Sequence, residues 1–347
     1  MTPRIGIIGA GAVGCVVGGL LTEAGVDVTL VDQWAEHVEA MKRQGLRLSI
    51  EGRGDVTVPV KALQISELQS LSEPFDLAFV AVKSYDTDWA THLIAPYLHP
   101  DGAVVDFQNG INDERIATIM GRERTLGCVI TIGAGLYEPA HALRTDTRDL
   151  GFTVGELDGS VTDRAQEIVD LLGQVEGSRV TSNLWGERWA KLAVNCMANP
   201  IAGLTGYGSA EVRRRDDTRA ICVRIAAEAI AVGRAHGHEI DAVWGIPADQ
   251  FVDAAAGRNV SELDEQLIAG AGALGEGRPS FLQDVIRKRR TEIDFLNGYV
   301  AERGREVEVP TPYNDAVVEV VHAFPVGALE PDPGNLDRLL RALGQTA

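Results

Sequence analysis

The sequence predicts an α/β chain, with a parallel, doubly wound sheet over residues 1–182 and an all-helical region over residues 183–347. Three features point there: short unbroken apolar runs that alternate with helical periodicity, a glycine-rich turn after the first run, and a second half that reads as amphipathic helices. Apolar runs without polar alternation suit strands covered on both faces. Strands are expected at residues 5–8, 28–31, 77–82, 103–107, 125–132 and 152–155. Alternation of strand and helix implies a parallel sheet with right-handed crossovers. Past a junction at residues 180–184, helices are expected over 185–198, 217–236, 260–273, 280–303 and 314–324, with almost no strand signal. Residues 270–279 read as a glycine-rich loop, and the tail from 327 ends in a short helical stretch.

The 347 residues suffice for about two domains. With 45% hydrophobic and 24% charged residues, two ordinary cores can form without disulfides or metals. The formal charge of −18 argues against nonspecific binding to nucleic acid or anionic lipid. Cys15, Cys128, Cys196 and Cys222 are scattered without metal-ligand spacing, so no metal is expected and a reducing cytoplasm is the natural setting. No signal peptide and no membrane span are expected. His236 and His238 lack an evident third ligand and read as a solvated helix end.

Residues 5–14 read I-G-I-I-G-A-G-A-V-G. Gly9, Gly11 and Gly14 form G-x-G-x-x-G after a strand and at the start of a helix, which is the context a dinucleotide site requires. The first glycine permits the turn, the second lets the backbone approach a pyrophosphate, and the third lets helix pack on strand. The loop Gly9, Ala10, Gly11, Ala12, Val13 and Gly14 is therefore assigned to a cofactor. A Gly-rich turn with no ligand is the alternative. Asp32 ends the next strand, where a carboxylate accepts from a ribose 2′-OH and repels a 2′-phosphate. NAD is thus favoured over NADP. Because such ligands are anions and the chain is acidic, individual Lys and Arg residues near motifs gain weight.

Lys191, Asn195 and Asn199 are four apart in W-A-K-L-A-V-N-C-M-A-N-P and share one helix face. Polar groups on so apolar a helix must be satisfied. They form either a structural network or a proton-donating lysine with two amides orienting a substrate.

These motifs, with V-K-S at Lys83, Q-N-G at Asn109, S-F-L-Q-D, R-T-E-I-D-F-L-N-G around Glu292 and P-T-P-Y-N at Asn314, resemble the ketopantoate reductase (2-dehydropantoate 2-reductase) family over nearly the whole chain. The resemblance implies an N-terminal Rossmann domain, a helical C-terminal domain, and reduction of a small anionic 2-oxo acid by NAD(P)H, with NADP the family default. It implies Lys191 as general acid, a role an ammonium fills best where partial burial brings its pKa toward the working pH. It implies Glu292 as the carboxylate holding the substrate hydroxyl beside the cofactor, and Asn109, Asn195, Asn199 and Ser280 as substrate contacts. Lys83 and Asn109 fall near the cofactor, and strand C-termini in such sheets do face the ligand crevice.

Other readings stand beside these. Ser280 and Gln283 form S-x-x-Q, a capping box. Glu292 could belong to a solvated charged face, Asn109 to a turn before Gly110, and Lys83 to the surface. Two departures weaken ketopantoate itself. Asp32 stands where the family commonly has an arginine for the 2′-phosphate, and Ser209 where many members have a substrate-holding asparagine. An NAD-linked 2-hydroxy acid dehydrogenase is therefore a live alternative. An opine-type dehydrogenase would need a His–Asp pair that the sequence does not reveal. A non-catalytic dinucleotide sensor would not need Lys191 and Glu292. Apolar C-terminal helices suggest a homodimer.

Overall fold

The computed structural model describes residues 3–147, 149–272 and 278–344. The chain divides into two compact units, Met1–Leu184 and Trp185–Ala347.

The first unit holds strands β1 (Ile5–Ile8), β2 (Val28–Asp32), β3 (Leu46–Ile50), β4 (Gly54–Val58), β5 (Lys61–Gln64), β6 (Phe75–Val80), β7 (Leu98–Asp106), β8 (Thr125–Ile130), β9 (Ala134–Glu138), β10 (His141–Arg144), β11 (Phe152–Glu156) and β12 (Ser178–Val180). Its helices are α1 (Ala12–Glu23), α2 (Ala35–Gln44), α3 (Thr87–Ile94), α4 (Asp113–Met120) and α5 (Asp163–Leu172). The main sheet runs β12-β11-β8-β7-β6-β1-β2-β5. Ile5, Ile7, Leu30, Phe79 and Val105 are fully buried on its strands, as unbroken apolar runs require.

The expected doubly wound sheet is present and mostly parallel, with one departure. The sheet is not wholly parallel, because β8 and β11 pair antiparallel. The chain between them forms a hairpin of β9 and β10 rather than a crossover helix, so nothing carries it back to the starting edge. That hairpin also builds a second sheet, β4-β3-β10-β9, which the apolar pattern does not announce. Its β3–β10 pairing joins Arg47 to His141, a contact distant in sequence. Helix α1 packs on both sheets through adjacent glycines. A Cβ on Gly18 would stand 2.5 Å from Leu30 of the main sheet, and one on Gly19 would stand 2.9 Å from Leu48 of the second.

The second unit is helical: α6 (Leu184–Thr205), α7 (Ser209–Arg214), α8 (Asp216–Ala235), α9 (Ala248–Ala255), α10 (Val260–Ala271), α11 (Ser280–Ile286), α12 (Asn297–Glu306), α13 (Pro312–His322) and α14 (Asn335–Ala342). A two-residue-per-strand hairpin, β13 (Ala242–Val243) with β14 (Ile246–Pro247), supplies its only strands among the described residues. Helix α6 continues past the expected residue 198 and through Pro200.

The helix expected over 280–303 is broken. Residues 286–290 are mostly exposed and offer no apolar stripe to bury, and Lys288 adopts φ +56°. A short 3₁₀ turn, Ile293–Phe295, then precedes α12. The expected loop at 270–279 falls partly on 273–277, outside the described residues. The solvated reading of His236 and His238 is also overturned. Both rings are half-buried, with His236 stacked on the fully buried Trp189 and His238 on Trp185.

Candidate active site

The glycine turn has the geometry its sequence predicts. Gly9 has φ +104°, and a Cβ there would stand 2.8 Å from the Ala81 backbone at the end of β6. A Cβ on Gly14 would collide with the Gly9 carbonyl, so only glycine lets α1 fold back so closely. A Cβ on Gly11 would meet no protein atom within 4 Å. That open space lies at the N-cap of α1, whose first turn, beginning Ala12–Val13, carries no acidic side chain. A helix N-terminus with free space and no acidic competitor suits a phosphate. These residues fit a dinucleotide.

A tie not visible in the sequence holds the turn from below. The Ala10 carbonyl accepts from Cys15 Sγ at 3.1 Å and lies 3.0 Å from His37 Nε2. His37 Nδ1 accepts the Ala140 amide at 2.8 Å, so in the neutral ring Nε2 carries the proton and donates to Ala10. Trp34 stacks on this ring at 5.2 Å, and burial pushes the His37 pKa below its ordinary value against Asp32 and the Ala10 carbonyl. No local motif marks His37.

Asp32, Lys83 and Asn109 follow or end β2, β6 and β7, which with β1 are neighbours in the main sheet. All three are half-buried at the C-terminal side of a sheet that is parallel there. Asp32 Oδ1 accepts the Trp34 amide at 2.8 Å. The V-K-S and Q-N-G segments are laced together. Gln108 Nε2 donates to Val82 O at 2.8 Å, Ser84 Oγ donates to Asn109 O at 3.0 Å, and Asn112 Nδ2 donates to both Ser84 Oγ and Asn109 O. Arg115 clamps the turn by donating to Ser84 O at 2.7 Å. Sequence reasoning missed Ser84, Gln108, Asn112 and Arg115, although the first two stand inside quoted motifs. Gly110 has φ +82°, so Asn109 does occupy a turn, which is compatible with a site role.

In the second unit, α6 carries Lys191, Asn195 and Asn199. Lys191 and Asn199 are half-buried and Asn195 is 4% exposed, with Asn199 Nδ2 3.4 Å from Asn195 Oδ1. Glu292 is 5% exposed, which overturns the solvated-face reading. Its carbonyl accepts the Phe295 and Leu296 amides, and its segment returns to α6 through Asn297, which donates to Cys196 O beside Asn195. Ser280 is the first residue of α11, with Pro279 at the N-cap and no side-chain cap. The expected capping box therefore does not form, and Gln283 turns instead to the Arg278 carbonyl. Phe281 beside it packs on Gly203 of α6. The structure also joins a His–Asp pair unseen in the sequence, His322 and Asp294, 2.7 Å apart. Their side chains are 55% and 41% exposed, as for a solvent-screened surface contact. Among the described residues, no group of three or more His, Cys, Asp or Glu is placed to hold a metal, and no helix is long and apolar enough to cross a membrane.

A mostly parallel sheet bearing this glycine turn, followed by a helical unit with a lysine–amide face, defines a dinucleotide-linked oxidoreductase class. Residues 5–159 match the family model described as Ketopantoate reductase PanE/ApbA, and residues 183–324 match that of its C-terminal region. The chain belongs to the ketopantoate reductase family. It is 31% identical over 331 residues to a 2-dehydropantoate 2-reductase of Archaeoglobus fulgidus, covering 93% of this chain and 98% of that one. A 2-dehydropantoate 2-reductase of Pyrococcus horikoshii is also 31% identical, over 92% and 97% of the two chains. The crystal structure of 2-dehydropantoate 2-reductase from Geobacter metallireducens GS-15 is similar with a TM-score of 0.79, 25% identity and coverage of 92% and 99%. A ternary structure of D-mandelate dehydrogenase with NADH and anilino(oxo)acetate matches with a TM-score of 0.79, 25% identity and coverage of 97% and 99%.

Proposed function

We propose that the protein uses NADH to reduce the carbonyl of a small 2-oxo acid, with Lys191 as the general acid. The carrying observation is Asp32 at the end of β2, followed by Gln33 and Trp34 rather than a basic residue. A 2′-phosphate would bring about two negative charges toward this carboxylate. The D-mandelate dehydrogenase that resembles this chain was solved with NADH, which supports the same choice. The substrate is 2-dehydropantoate or a related 2-oxo acid, and the presence of Ser209 in place of the family's asparagine favours a related one.

When bound, the dinucleotide supplies the hydride. The Gly9–Gly14 turn and the α1 N-terminus hold its phosphates, and Asp32 accepts from the ribose hydroxyl. Lys83 and Asn109 would face its reactive end. As charge grows on the substrate oxygen, Lys191 Nζ donates a proton to it. Asn195, Asn199 and Ser280 orient the substrate, and Glu292 accepts from its hydroxyl. The chain acts in the cytoplasm as a homodimer on this reading, and light scattering tests the assembly.

The test is kcat/KM with NADH and with NADPH across 2-dehydropantoate, aliphatic 2-oxo acids and arylglyoxylates, followed by nicotinamide absorbance. NADH should serve at least as well as NADPH. A tenfold preference for NADPH, about 1.4 kcal/mol, would overturn the cofactor choice. Failure with every 2-oxo acid would overturn the reaction.

A further inference from the structure

Pro200 stands inside α6, directly after Asn199. Proline has no N–H, so the carbonyl four residues earlier loses its helical donor. That carbonyl belongs to Cys196, next to Asn195. A buried acceptor left unpaired would cost about 1–3 kcal/mol. Asn297, at the start of α12, supplies the missing donor: its Nδ2 lies 3.2 Å from Cys196 O. The same nitrogen donates to Asn314 Oδ1 at 3.0 Å. Asn314 Nδ2 donates to Ile225 O at 3.2 Å and to Glu228 Oε2 at 2.7 Å. Glu228 also accepts the Tyr313 and Asn314 backbone amides, each at 2.9 Å.

Both asparagines are 0% exposed. The orientation of the Asn297 amide follows from its neighbours, because the reversed amide would set an oxygen against two oxygens. Its Oδ1 has no partner among the described residues. An amide buried with one end unsatisfied is held there by what its other end donates. The network thus joins the N-P step of α6, the N-G of α12, the P-T-P-Y-N of α13 and Glu228 of α8. The reaction proposed above uses neither Asn297 nor Asn314.

We propose that Asn297, braced by Asn314 and Glu228, is a positioning residue: by binding the carbonyl that Pro200 releases, it fixes the stretch of α6 that presents Asn195 and Asn199. This rests on the reading of those two amides as substrate contacts. The two ideas are separated by one measurement of chemistry and one of local motion.

The experiment compares wild type, Asn297→Leu, Pro200→Ala and the double variant. Leucine keeps the branching and heavy-atom count but donates nothing, whereas alanine in place of Pro200 restores the N–H that Cys196 O lacks. Asn297→Leu should lower kcat by at least about tenfold, as expected for a small misplacement, with dinucleotide affinity by calorimetry within about twofold of wild type. Hydrogen exchange over residues 195–201 should quicken by about fivefold or more. In the Pro200→Ala background the same substitution should cost at most about a third of those effects, the coupling expected of two residues that act on one carbonyl. Overturning results are a folded Asn297→Leu protein with lowered melting temperature but wild-type kcat and exchange, or losses that simply add in the double variant. If Asn297→Leu does not fold, Pro200→Ala against the double variant decides, since the restored N–H should make that pair fold and behave alike. If wild type reduces no 2-oxo acid, the reaction fails, while exchange still shows whether Asn297 holds α6.

Discussion

Lys191 occupies a half-buried position on α6, one turn from Asn195 and two from Asn199. Hydride delivery to a carbonyl builds charge on oxygen that needs a proton or a positive neighbour. Lys191→Ala should therefore cut kcat by about 10²–10⁴-fold, the usual contribution of a positioned acid, and leave dinucleotide affinity nearly unchanged. A folded variant keeping more than about a tenth of wild-type kcat, under 1.4 kcal/mol of barrier, would refute the role. His37 makes a different prediction, about pH. Its folded-state pKa lies below the ordinary 6.5, first because burial disfavours the charged ring. Protonation would also set an N–H of the ring against the Ala140 amide that it now accepts. As pH falls below about 6.5 the unfolded chain takes up this proton first, so stability is lost with acid. The contribution is complete above that pH and declines as pH falls through the folded-state value. The melting temperature of wild type should drop more steeply between pH 7.5 and pH 5 than that of His37→Phe, and parallel slopes would exclude the effect.

Among the elements, α6 is the one on which most of the second unit's candidate chemistry rides. Its N-terminal half is anchored by Trp189, which is 1% exposed, stacks with His236 and meets Tyr299 at a tilted angle. Helix α8 approaches that indole through Gly233, where a Cβ would stand 2.7 Å from Trp189 and Ile240. Two effects oppose each other in Gly233→Ala. The substitution gains about 1 kcal/mol of helix propensity, and overpacking of a well-packed core costs about 1–3 kcal/mol. Because the obstructing atoms belong to a fully buried ring, overpacking should win, and denaturant unfolding should report a net loss. A stabilised variant would mean that α6 and α8 separate easily. In the first unit, the Ser84–Asn109 and Gln108–Val82 bonds do comparable work, holding the turns after β6 and β7 as one piece.

At the scale of the whole molecule, 50 acidic residues face 32 basic ones, yet both proposed ligands are anions. In the first unit the α1 N-terminus, with no acidic side chain in its first turn, offers backbone amides that suit an anion. A ligand bound to the folded chain alone stabilises it by about 2.7 kcal/mol at a hundredfold excess over Kd. NADH should therefore raise the melting temperature of wild type. Gly11→Val should abolish that shift without lowering the starting melting temperature, since a Cβ there meets no protein atom within 4 Å. An unchanged shift would show that the turn is structural only. Loss of the unliganded fold would show that the space is not open.

The sequence by itself determined the features whose causes are local. Unbroken apolar runs specified β1, β2, β6, β7, β8 and β11, because burial on both faces needs no more than neighbouring residues to be read. Three glycines specified the turn, and a spacing of four specified the face of Lys191, Asn195 and Asn199. What the tertiary structure decided depends on partners far along the chain. Leu46 and Leu48 look like an ordinary exposed-and-buried alternation until β3 finds β10 and α1 covers both. The run 280–303 keeps helical composition, but a charged stretch without a buried stripe gives that helix nothing to pack, so it breaks. His37 reaches Ala140, and Asn297 reaches Cys196, across 103 and 101 residues. Such bonds form because folding strands buried polar groups together and each must find a donor or acceptor. A local pattern can mark where an acceptor is released, as at Pro200, but only the folded chain chooses which side chain answers it.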